Sequence, residues 1–119
     1  MGVSADAVMG GIEKMFERIS RHKARLLAMT LMTLSASDKA FYRPAEEERQ
    51  KLNRLIKHWI ETGSAIKSNA TKFPVLVDMD QLIRYSNSTR LFCMDGLHLS
   101  ADGYDKMGSE IFNGLSPFL

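Results

Sequence analysis

Apolar residues recur at helical spacing between Ala5 and Arg21. Val8, Met9, Ile12, Met15, Phe16 and Ile19 share one face, and Glu13, Lys14, Glu17 and Arg18 lie elsewhere. This pattern predicts an amphipathic helix with Ser4 as its N-cap, ending in a polar hinge at Arg21-His22-Lys23. Leu26 to Leu34 carries no charge and does not alternate, as expected of a strand covered on both faces in a parallel sheet. After a loop over Ser35 to Arg43, Pro44 suits the first turn of a second helix, and Glu46, Glu47 and Glu48 suit its positive dipole end. Leu52, Leu55, Ile56, Trp59 and Ile60 form the apolar stripe of that helix and Gly63 its stop. The charge run Glu46 to Lys51 reads as a solvated face.

A polar loop over Ser64 to Lys72 precedes a second short buried strand, Val75 to Met79. Asp80 to Tyr85 fits a short helix and Asn87 to Cys93 a loop. Asp102 to Leu115 reads as a terminal helix with Tyr104, Met107, Ile111 and Phe112 facing inward. The order is that of an α/β domain with parallel strands and right-handed crossovers. Two strands make a very small sheet with both outer edges unpaired, so the chain reads as part of a larger sheet. The exposed edge offers a place for a partner chain.

Composition narrows the field. The 119 residues suit one domain, and 16 basic against 14 acidic residues give a net charge of +2, too little to argue for a nucleic-acid partner. The single cysteine, Cys93, rules out an internal disulfide and a cysteine-built zinc site, and is expected as a buried apolar filler. Among the eight methionines, Met29, Met32, Met79 and Met107 are expected in an adaptable core. No apolar run approaches the ~18 residues of a membrane span. Met1 to Ala7 lacks the basic start and apolar stretch of a signal peptide, so a cytoplasmic location is the default expectation. The glycosylation patterns at Asn69 and Asn87 are accordingly read as chance matches.

Chemistry concentrates in Met94-Asp95-Gly96-Leu97-His98-Leu99-Ser100-Ala101-Asp102-Gly103-Tyr104. Ser100 is placed to cap the last helix, with Leu99 and Tyr104 as a hydrophobic staple around it. Asp95, three residues before His98, can fix the imidazole tautomer and stabilise the imidazolium formed in proton transfer. His22 and His58 read as ordinary helix residues. A divalent-metal site among Asp78, Asp80, Asp95, His98, Asp102 and Asp105 is the rival constellation, but the calcium-loop spacing fails.

The run Asp95 to Tyr104 resembles the last block of the SGNH, or GDSL-type, esterases and lipases. Leu26 to Leu34 is similar to that family's fourth sheet strand, Val75 to Asp80 to its fifth, and the helix bearing Asn53 to the segment between them. The resemblance implies residues 1–119 to be the C-terminal part of a three-layer α/β/α, flavodoxin-like hydrolase domain, with about two parallel strands and three helices. It implies ester hydrolysis through a Ser-His-Asp triad, with His98 as base, Asp95 as its orienting carboxylate, and neither metal nor organic cofactor. The substrate would be a small-molecule, lipid or carbohydrate ester. The chain departs from the family in lacking both the Gly-Asp-Ser nucleophile block and the Gly-x-Asn-Asp oxyanion block. Its Gly-Ser pairs, Gly63-Ser64 and Gly108-Ser109, do not follow a strand as a nucleophile turn should. Two of three triad members are present, so negligible esterase activity is expected of this chain alone. A truncated, non-catalytic relative that serves as a protein-interaction module is the alternative.

Overall fold

The computed structural model describes residues 3–22, 24–33, 43–62, 74–85 and 90–119. Within them the order is α1 (Ala5–Arg21), β1 (Leu27–Met29), α2 (Arg43–Glu61), β2 (Val75–Val77), α3 (Met79–Leu82) and α4 (Ala101–Leu115), closed by a 3-10 turn over Ser116–Phe118. The loop expected before Arg43, the stop at Gly63, the loop over Ser64 to Lys72 and the patterns at Asn69 and Asn87 lie outside the described residues.

β1 and β2 pair in parallel, with Leu27 opposite Val75, Ala28 opposite Leu76 and Met29 opposite Val77. Side chains alternate between the two faces of such a pair, and each face has its own core. Ala28 and Leu76 pack with Ala5, Met9, Leu52 and Ile56 from α1 and α2. Leu27 and Val77 pack with Met79, Ile83, Leu99, Met107 and Ile111 on the other side. Helices therefore cover both faces of a two-stranded parallel sheet, and the expected α/β class holds at that level.

α1 forms where its apolar stripe predicts, and Ser4 caps it by accepting a hydrogen bond from the Ala7 N–H at 3.2 Å. Glu48 accepts from the Ala5 N–H at 2.6 Å, satisfying an amide with no partner inside its own helix. Phe16 and Trp59 meet edge to face, with centroids 4.7 Å apart. Both contacts join residues 43 positions apart, so α1 and α2 run side by side in the same direction.

Four expectations need correction. The first strand is three residues long, not nine, because at Leu31 the backbone is taken by side chains of α2 instead of by β2. The second stops at Val77, because Met79 begins α3. Tyr104 and Phe112 are 57% and 61% exposed; Gly103, Met107, Ile111 and Gly114 make the inner face of α4 instead. Cys93 and Met29 are exposed, whereas Met79 is fully buried as expected.

Candidate active site

Residues 90–100 form a narrow hairpin-like loop that ends on α4. Phe92 and Leu99 make an isolated antiparallel bridge, the Cys93 N–H donates to the His98 carbonyl at 2.8 Å, and the Ser100 N–H donates to the Leu91 carbonyl at 2.9 Å. The turn closes at Gly96, whose φ of 67° lies in the left-handed region that glycine adopts without strain. Ser100 caps α4 as its sequence context predicts, accepting from the Gly103 N–H at 3.1 Å while its hydroxyl donates to the Arg90 carbonyl. The staple is made from one side only, since Leu99 is buried in the core and Tyr104 is not.

This loop brings Asp95 and His98 together. One carboxylate oxygen, Oδ2, lies 2.6 Å from His98 Nδ1. The other, Oδ1, accepts from the main-chain N–H groups of Leu97 at 2.9 Å and His98 at 3.1 Å. The His98 bond, followed by these two amides, holds the Asp95 carboxyl down at about 2. The carboxylate is thus fixed by three donors and aims its second oxygen at the ring. The imidazole is 70% exposed, and no described hydroxyl or thiol is hydrogen-bonded to it. Cys93 turns its thiol to the Leu99 carbonyl at 3.4 Å.

The loop also stands at the chemically useful end of the sheet. At the opposite end of the sheet Arg25, just before β1, donates to the Phe118 carbonyl at 3.1 Å, and Gly114 lies against Val77 and Val75. α4 therefore runs back along the strands, and its N-terminus points beyond their C-terminal ends. Leu99 packs there on Met79 and Ile83, just past β2. Ligand sites of open α/β sheets collect at that end.

A polar clamp that the sequence reading missed fastens the same end. Asn53, buried on the inner face of α2, accepts from the Leu31 N–H at 2.7 Å and donates to the Leu31 carbonyl at 2.8 Å. Arg49 reaches the same carbonyl at 2.5 Å, Asp80 at 2.7 Å and Glu46 at 2.6 Å. Its side chain is only 11% exposed, so the run Glu46 to Lys51 is not simply a solvated face. Thr30 donates to Asp78 at 2.8 Å and accepts from the Asp80 N–H at 3.0 Å, and Lys57 binds the other Asp78 oxygen at 2.5 Å. Burial raises the Asp78 carboxyl, but the bonds from Lys57 and Thr30 outweigh it and the group sits below its ordinary value. The signal in the sequence was a polar residue at position 53 between the apolar positions Leu52 and Ile56.

The clamp separates the acids of the rival metal constellation. Asp78 and Asp80 are committed to Lys57 and Arg49, Asp95 to His98, and Asp102 lies exposed in the first turn of α4. Among the described residues no three histidine, cysteine, aspartate or glutamate side chains converge on a metal position. No described helix is long and apolar enough to cross a membrane. Compared with known proteins, the chain matches no family model, no curated protein and no solved structure.

Proposed function

We propose that this chain is the C-terminal portion of a serine esterase of the SGNH type and carries the proton-transfer half of its triad. One observation supports the reading above the rest. Asp95 is pinned by main-chain amides and holds Nδ1 of an otherwise exposed imidazole at 2.6 Å. That arrangement leaves Nε2 of His98 to face a nucleophile and substrate.

In the proposed reaction His98 takes the proton of a serine hydroxyl as that oxygen attacks the acyl carbon. Asp95 keeps the ring in the required tautomer and stabilises the imidazolium. The proton then passes to the departing alkoxide, and a water repeats the sequence to release the acid. The serine comes from polypeptide outside these 119 residues, because the chain holds no Gly-Asp-Ser block. Donors to the oxyanion come from there as well.

Reconstitution tests this. The chain is mixed with, or fused behind, an N-terminal segment that supplies strands and a Gly-Asp-Ser block, and turnover of a short activated ester is followed. Turnover is expected in the combination, absent from either part, and lowered at least about 100-fold by His98→Ala. A folded combination with no turnover, or one indifferent to His98→Ala, refutes the proposal.

A further inference from the structure

We draw no further inference here: the strongest candidate, the apolar groove that α1 and α2 form beside the outer edge of β1, has nothing in the described structure to show what covers it.

Discussion

Gly103 sits against Leu91 so closely that a Cβ on it would stand 2.1 Å from the Leu91 carbonyl oxygen and 3.0 Å from Leu99 Cβ. The first turn of α4 and the loop that carries Asp95 and His98 are therefore seated backbone against backbone. The Leu91 carbonyl is already held by the Ser100 N–H, so it has little room to retreat.

Gly103→Ala is accordingly expected to cost about 2 kcal/mol or more, as overpacking against an unyielding neighbour does. Gly108→Ala, with nothing near its would-be Cβ, should gain up to about 1 kcal/mol from helix propensity. A Cβ on Gly114 would meet the tip of the Val77 side chain at 2.8 Å, and the alanine variant should fall between the two. Urea unfolding of the three variants against the parent checks the order. A Gly103→Ala protein as stable as the parent would show that the seat is loose.

The clamp on Leu31 gives a second expectation. Asn53 spends one acceptor and one donor on a single residue of the strand's continuation, and the site is 4% exposed. Asn53→Ala leaves the Leu31 N–H unpaired, at a cost of about 1 to 3 kcal/mol. Asn53→Asp should do no better, since a carboxylate can accept from the N–H but cannot donate to the carbonyl. Thermal unfolding of both variants measures this, and an Asn53→Asp protein as stable as the parent would refute the assignment of the two bonds.

How these features divide between the legible and the hidden has a physical basis. The stripes of α1 and α2 and the caps at Ser4 and Ser100 are local, set by residues within a turn or two, and the chain displays them directly. The pairing of Asp95 with His98 is three residues long and was legible for the same reason. The clamp joins Leu31 to Asn53 and Arg49 to Asp80, contacts of 22 and 31 residues that leave no periodic mark. Tyr104 and Phe112 misled because they fall at apolar positions of α4, while the face against the sheet is chosen by small residues, Gly103 and Gly114, that let the backbone approach. The family resemblance rests on the loop from Asp95 to Tyr104, on two strands and on the helix bearing Asn53 between them.

The dyad should respond to acid in a defined direction. Asp95 titrates at about 2 when folded, below its ordinary 3.8, because His98 and two amides bind the charged form. A depressed carboxyl contributes stability in full above its unfolded pKa and loses it as pH falls through the folded value. The ordering of this loop should therefore be complete above about pH 4 and decline toward pH 2. Glu46, lowered chiefly by its bond from Arg49, acts in the same sense. The Asp95 carboxyl carbon, followed by NMR, should titrate near 2 in the parent and closer to 3.8 in His98→Ala. An unchanged midpoint in the variant would mean that the 2.6 Å contact is not held in solution.

Removing the two dyad members should have separable consequences. The His98 side chain is 70% exposed and its ring bonds only to Asp95 among the described residues, so His98→Ala should leave the fold intact. In a reconstituted esterase it should nevertheless lower turnover by about 100-fold to 10,000-fold, the range of a lost general base. Asp95→Ala removes the acceptor for two main-chain amides as well as the ring partner, so it should loosen the loop and cut turnover together. Asp95→Asn keeps an amide oxygen for Leu97 and His98 but loses the charge, so the loop should stay ordered while turnover still falls. Amide exchange at Leu97 and His98, measured beside turnover in the three variants, distinguishes a dyad that orients a base from a turn that merely contains a histidine. If Asp95→Asn retains full turnover, Asp95 builds the loop and takes no part in proton transfer.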